Sequence, residues 1–222
     1  ILVSKETAHY LLTVLRLRIG APLTLFNGQG GEYAACLTAC TAKTAQLQIV
    51  DYHPIERESF LQLTLVQAIS RPEHMDYTIQ KAVELGVQRL VPVLTQRSPP
   101  VDQGILHKRT QHWRKIIVGA CEQSGRNHLP ELDEALPLTA WLKQPQAGIC
   151  MVLSLNGRNN LQDALRHHHQ PSLVTVLSGA EGGLSEVEIQ EAMQVGYLDI
   201  HLGSRILRTE TAAVAVLAIR QA

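Results

Sequence analysis

Two glycine-bearing stretches in the C-terminal third of the chain hold residue types suited to chemistry. The first, Ser178-Gly179-Ala180-Glu181-Gly182-Gly183-Leu184-Ser185, follows an apolar run ending at Leu177. Glycine tolerates positive φ and lets a ligand approach the backbone closely. The arrangement is neither a GxGxxG fingerprint nor a P-loop, because no Gly-Lys-Ser/Thr follows it. Glu181 sets a carboxylate among the loop amides, where it repels phosphate and suits a cationic ligand or one offering hydroxyl donors. For this loop alone, a purely structural turn is the competing reading. Ser185 with Glu188 forms a capping box that predicts a helix start.

The second stretch, Gly203-Ser204-Arg205-Ile206-Leu207-Arg208-Thr209-Glu210-Thr211, leads into Ala212–Ile219. Thr209 is expected at the N-cap, with Glu210 favoured by the helix dipole. The helix is apolar nearly all round, so it must be buried under a sheet or against another subunit. Arginines beside such an element suggest a ligand site; the competing reading pairs them structurally with Glu181 or Glu210.

The elements that must position these loops alternate from Phe60 onward. Strands are expected over Leu61–Ile69, Leu90–Leu94, Ile149–Leu155, Leu173–Leu177 and Leu198–Leu202. Helices are expected over Glu73–Leu85, Gln103–Gln123, Asn160–His168, Glu186–Val195 and Thr211–Arg220, with Gly86 and Gly196 at C-terminal caps. This alternation predicts an α/β fold with a largely parallel sheet and a ligand site at the carboxyl ends of the strands. The first fifty-odd residues read differently. Thr7–Arg16 is expected to be a short helix, Asn27-Gly28 a hairpin turn after Leu23–Phe26, and Glu32–Cys40 and Thr44–Tyr52 strands. The polar, proline-bearing segment His53–Ser59 marks a domain boundary, giving a domain over 1–57 and another over 60–222.

At 222 residues and 45% hydrophobic content the chain can bury a full core. No run approaches the roughly 18 to 20 apolar residues of a membrane span, and no basic-then-apolar signal opens the chain, so a cytoplasmic location with no membrane partner is expected. The first residue is Ile1 rather than Met, and a few preceding residues are expected in the native chain. The formal charge is zero, yet 60–130 carries nine Lys/Arg against five Asp/Glu and 131–200 three against nine, so one part can present a basic face. Cys36, Cys40, Cys121 and Cys150 lack paired CxxC spacing and suit a reduced compartment. Consecutive helical residues point apart, so His167-His168-His169 reads as a polar helix end, and no metal is expected.

Taken together, the two loops resemble the signature of the RsmE-type SPOUT methyltransferases. The resemblance extends to Arg71-Pro72-Glu73, to Thr78–Val87, and to Ala120-Cys121-Glu122-Gln123-Ser124-Gly125-Arg126-Asn127. In the N-terminal part it takes in His9-Tyr10, Val14-Leu15-Arg16 and Leu25-Phe26-Asn27-Gly28, so nearly the whole chain is covered in the family's order. The chain departs from the family's usual proline at Ala180 and at Ser204, which softens the loops by up to about 1 kcal/mol and predicts weaker cofactor binding at most.

The resemblance implies a small PUA-like β-barrel, RNA-binding, followed by a SPOUT α/β domain with a C-terminal trefoil knot, assembled as a homodimer. The implied activity is methyl transfer from S-adenosyl-L-methionine (SAM) to N3 of a uridine in 16S ribosomal RNA, free or within the small subunit. It implies SAM contacts at Leu155, Gly179, Glu181, Gly182, Leu202, Gly203, Ile206, Leu207 and Thr209. Negative charge on the uracil oxygens calls for a cationic donor. Arg208 is the first choice and Arg126 the second, with Glu122 or Glu210 as a base if one is needed. RNA phosphates would be met by Lys5, Arg16, Arg18, Arg71, Lys81 and Arg97. Two rivals stand beside this reading: a non-catalytic RNA-binding protein that retains the fold, and a nucleotide-binding α/β enzyme using the Gly179–Gly183 loop.

Overall fold

Short apolar runs rich in Val, Leu and Ile are the signature of strands covered on both faces, and the second half of the chain is built on them. The computed structural model describes residues 1–41, 44–166 and 172–221; the His167-His168-His169 tract lies outside the described residues. The chain divides into two compact units, Ile1–Arg57 and Glu58–Ala222.

In the first unit Ser4 caps α1 (Lys5–His9) by accepting from the Thr7 amide at 3.1 Å, and a π-helical turn over Tyr10–Val14 continues it. The helical segment therefore begins and ends two residues before the Thr7–Arg16 expectation. Arg16 stops it in the left-handed region at φ 54°. Strands β1 (Pro22–Leu25), β2 (Glu32–Cys40) and β3 (Ala45–His53) form an antiparallel sheet with β2 in the middle, bent by bulges at Ala34/Ala35 and Leu37/Ala39. Ala8, Leu11, Leu37, Ala45 and Leu47 are its core. Asn27-Gly28 does not make a two-residue hairpin. The β1–β2 connection runs over 26–31, where Asn27 Oδ1 accepts from the Gln29 amide at 2.9 Å. Gly31, at φ +69°, is pressed so closely by Tyr52 that a Cβ would lie 2.3 Å from its hydroxyl oxygen.

The second unit runs β4 (Gln62–Ala68), α2 (Pro72–Glu84), β5 (Arg89–Leu94), α3 (Gln103–Ser124), β6 (Glu131–Leu132), β7 (Leu136–Pro137), α4 (Leu138–Leu142), β8 (Ile149–Leu153), β9 (Asn159–Asn160), α5 (Leu161–Arg166), β10 (Leu173–Ser178), α6 (Glu186–Gln194), β11 (Leu198–His201) and α7 (Thr209–Gln221). The sheet is eight-stranded and parallel, in the order β6-β5-β4-β10-β8-β11-β9 with β7 also on β5. This agrees with the expected α/β class, and the long strands lie within two residues of their expected ends. The central strands β4 and β10 are almost wholly buried.

Helix ends follow the local chemistry. Pro72 opens α2, Asp102 Oδ1 accepts from the Ile105 amide to cap α3, and Gly125 closes α3 at φ +75°. The capping box of α6 forms as expected, with Ser185 Oγ accepting from the Glu188 amide and Glu188 Oε2 accepting from the Ser185 amide. Among the described residues no helix is long and apolar enough to cross a membrane.

Candidate functional site

Because β10, β8 and β11 are neighbours in a parallel sheet, the three loops leaving their carboxyl ends open side by side. They enclose a cleft of about 480 Å³, within the ordinary range for small-molecule sites. All of Leu155, Gly179, Glu181, Gly182, Leu202, Gly203, Ile206, Leu207 and Thr209 line it. Leu155 and Ile206 are 64% and 81% exposed, apolar side chains left open to a ligand.

The loop after β10 is held in one shape by its glycines. The Gly183 amide donates to the Ala180 carbonyl at 2.8 Å, closing a turn with Gly183 at φ +70°. A Cβ on Gly179 would lie 2.6 Å from the Gly183 carbonyl carbon, so only glycine fits there. Ala180, where the family usually has proline, is 3% exposed and packs into the core, so the turn keeps its shape without the ring. The loop is also tied to its neighbours. Arg97 Nη1 donates to the Gly182 and Leu184 carbonyls at 2.6 and 3.1 Å, and Glu181 Oε1 accepts from the Arg71 amide at 2.8 Å. Glu188 Oε1 accepts from the Gln96 amide at 2.8 Å.

Thr209 is the first residue of α7 rather than its N-cap, and its hydroxyl donates across to the Gly179 carbonyl at 2.5 Å. Gln67 Nε2 donates to the same carbonyl at 3.0 Å and toward Thr209 Oγ1 at 3.2 Å. The two loops singled out in the sequence are thus fastened to each other and to the end of β4. Gln67, Ser154 and Asp199 were missed at the sequence level. Gln67 is the penultimate residue of β4, Ser154 directly follows β8, and Asp199 lies within β11 in register with Val152; their polarity within apolar runs was the available signal.

The proposed catalytic set is not brought together. Arg208 is exposed on the last turn before α7, with no ion pair among the described residues. Arg126 is 7% exposed and does not reach the cleft. Its Nε and Nη2 donate to Glu58 at 2.8 and 2.5 Å, and its Nη1 to the Val83 and Val87 carbonyls at 2.9 and 2.8 Å. This is an architectural arginine, holding the chain entering the domain against the end of α2. Glu122 is exposed on α3 and lines no part of the cleft. Glu210 pairs with His74 Nδ1 at 3.2 Å rather than with an arginine.

Of the proposed RNA contacts, Lys5, Arg16, Arg18 and Arg71 are exposed. Lys81 is engaged by Glu84 at 2.7 Å, and Arg97 braces the cleft loop. Cys121 and Cys150 are buried, Cys36 half-buried and Cys40 exposed. Among the described residues no group of three or more His, Cys, Asp or Glu is placed to hold a metal ion.

A parallel sheet with a glycine-lined cleft at the ends of its central strands, preceded in the chain by a small β unit, defines a class. Residues 57–221 match the RNA methyltransferase domain family and residues 3–50 the RNA methyltransferase PUA domain. A methyltransferase from Legionella pneumophila, solved with bound SAM, superimposes with a TM-score of 0.94 at 36% identity, over 100% of this chain and 90% of that one. The ribosomal RNA small subunit methyltransferase E of Neisseria gonorrhoeae, bound to S-adenosyl methionine, gives 0.90 at 36% identity with the same coverage. The enzyme of that name from Buchnera aphidicola is 31% identical over 223 residues, 98% of this chain and 88% of the relative. The chain belongs to the ribosomal RNA small subunit methyltransferase E family.

Proposed function

We propose that this chain methylates N3 of a uridine in 16S ribosomal RNA with SAM as donor, acting in the cytoplasm as a homodimer on free RNA or on the small subunit. The observation that carries the reading is the convergence of the loops after β8, β10 and β11 on one cleft lined by all nine residues implied for SAM. The residues fit that group: Gly179 and Gly183 keep side chains out of the loop, Leu155 and Ile206 offer apolar surface to a base, and Glu181 at the rim favours a cationic ligand. The names and bound cofactor of the Legionella and Neisseria proteins support the same assignment.

When bound, SAM supplies an electrophilic methyl group on a sulfonium. The uracil N3 proton leaves as the methyl arrives, and charge collects on the flanking carbonyl oxygens. Arg208 donates to those oxygens in this scheme: it is exposed, without an ion pair among the described residues, and directly precedes the cleft residue Thr209, while Arg205, equally exposed, lines the cleft itself. The proton passes to solvent in this scheme, since neither Glu122 nor Glu210 lines the cleft.

RNA phosphates are met by Lys5, Arg16 and Arg18 of the first unit and by Arg71 of the second. A basic face of α3 adds to these, exposing Lys108, Arg114 and Lys115, with no Asp or Glu between Gln103 and Cys121. The apolar α7, still 50% exposed at Ile219, suits a subunit interface. It follows β11 yet packs on α2 and β10, beyond β8 in the sheet, a placement compatible with the C-terminal knot that the resemblance implies.

The test is mass mapping of 16S ribosomal RNA from a strain lacking the gene, with the purified protein and SAM added back. Restoration of one methyl on one uridine is expected, with Arg208→Ala failing to restore it while still binding SAM. Methylation at any other base or ring atom, or none, overturns the reading.

A further inference from the structure

The floor of the cleft holds a carboxylate that the assignments above leave without a task. Asp199 lies in β11, in register with Val152 of β8, and Ser154 stands just beyond the end of β8. Ser154 Oγ donates to Asp199 Oδ1 at 2.5 Å. Asp199 is 6% exposed, and both side chains line the cleft. Among the described residues no Lys, Arg or His pairs with it, and Oδ2 takes no hydrogen bond.

Burying a carboxylate is costly unless it is paired or fully hydrogen-bonded. Glu181 takes the Arg71 amide, Glu188 takes the Gln96 and Ser185 amides, and Glu186, also on the cleft, is exposed to solvent. Asp199, which lines the cleft, has one hydroxyl partner, on Oδ1, and its Oδ2 takes no hydrogen bond among the described residues. Ionised carboxylate is acceptor-only, and Ser154, already donating to it, presents only lone pairs. The two together form an acceptor pair that a ligand with at least two N–H or O–H donors would complete.

We propose that Asp199, oriented by Ser154, is a recognition residue for the cofactor, accepting hydrogens from a donor-rich polar group of SAM. This rests on the methyltransferase reading. Two groups of SAM carry the required chemistry, the vicinal ribose hydroxyls and the α-ammonium.

The experiment is calorimetric titration of wild type, Asp199→Asn, Asp199→Ala and Ser154→Ala with S-adenosylhomocysteine and with 5′-methylthioadenosine, which keeps the nucleoside and lacks the amino acid. Thermal unfolding of each ligand-free protein is measured alongside. Asp199→Asn turns a donor toward the ligand's donors, and S-adenosylhomocysteine should bind about 20-fold or more weakly, with Ser154→Ala weaker by about 3-fold. The ligand-free Asp199→Asn protein should melt no lower than wild type, because a poorly paired buried charge has been removed. Equal loss for both ligands assigns the ribose; loss confined to S-adenosylhomocysteine assigns the ammonium. Wild-type affinity in Asp199→Asn, or a ligand-free melting point several degrees below wild type, overturns the inference alone. Wild type that binds neither ligand overturns the methyltransferase reading and the inference with it.

Discussion

The hydroxyl of Thr209, at the head of α7, donates to the carbonyl of Gly179 at 2.5 Å, joining the loops that leave β11 and β10. Gln67 Nε2 reaches the same carbonyl from β4 at 3.0 Å. The end of β4 is thereby tied to two loops that lie 112 and 142 residues further along the chain. The side chain that sequence reasoning placed at an N-cap instead ties together two of the loops that line the cleft.

Thr209→Val keeps the shape of the side chain and removes its donor. The Gly179 carbonyl then keeps only the Gln67 bond, and the loops lose about 1 kcal/mol of mutual restraint. Calorimetry should show S-adenosylhomocysteine binding about 5- to 10-fold more weakly, with Thr209→Ser close to wild type. Wild-type affinity in Thr209→Val would mean that the loops are spaced by packing alone.

Gly179→Ala puts a Cβ at 2.6 Å from the Gly183 carbonyl carbon, and the obstacle is backbone rather than a movable side chain. The turn closed by the Gly183 amide on Ala180 must open. A stability loss of about 2 kcal/mol or more is expected, with cofactor binding abolished. Chemical denaturation and calorimetry check the two halves separately; an unchanged midpoint with intact binding would show a more pliable turn than the contacts indicate.

What could be read in advance was what depends on near neighbours in sequence. The Ser185 and Glu188 capping box spans one helical turn, and the strand runs at β10 and β11 carry their own pattern, so both loops were found and all nine cofactor assignments lie on the cleft. Pairings across the sheet were not legible. Arg126 meets Glu58 over a separation of 68 residues, and nothing in its local sequence distinguishes a buried architectural arginine from one aimed at a substrate. Asp199 and Ser154 are 45 residues apart and meet only because β11 lies beside β8. The Asn27-Gly28 turn failed for the opposite reason: Gly30 and Gly31 also hold positive φ, and Tyr52 from β3 packs onto the longer loop they allow.

Arg126→Ala should injure the fold rather than the chemistry. It removes the guanidinium that Glu58 and the Val83 and Val87 carbonyls share, a loss on the order of 3 kcal/mol. Urea denaturation should show that loss, while the protein that remains folded at low temperature keeps its affinity for S-adenosylhomocysteine. Full stability with methyl transfer abolished would return Arg126 to a catalytic role.

Alkaline pH should destabilise the second unit through its buried acids. Burial pushes the Cys121 thiol up to about 11, and the Cys150 thiol and the Tyr197 phenol are raised by burial as well. Each folded-state value lies above the unfolded one, so the native state holds more protons through the intervening range. The stabilisation is complete below about pH 9 and is lost as pH climbs through the folded values. For Cys121 alone that amounts to on the order of 2 kcal/mol by pH 11. Melting temperature should be flat from pH 7 to pH 8.5 and then fall steadily, and Cys121→Ala should flatten part of the fall. A melting temperature in Cys121→Ala that declines as steeply as in wild type would show that this thiol does not govern the alkaline limb.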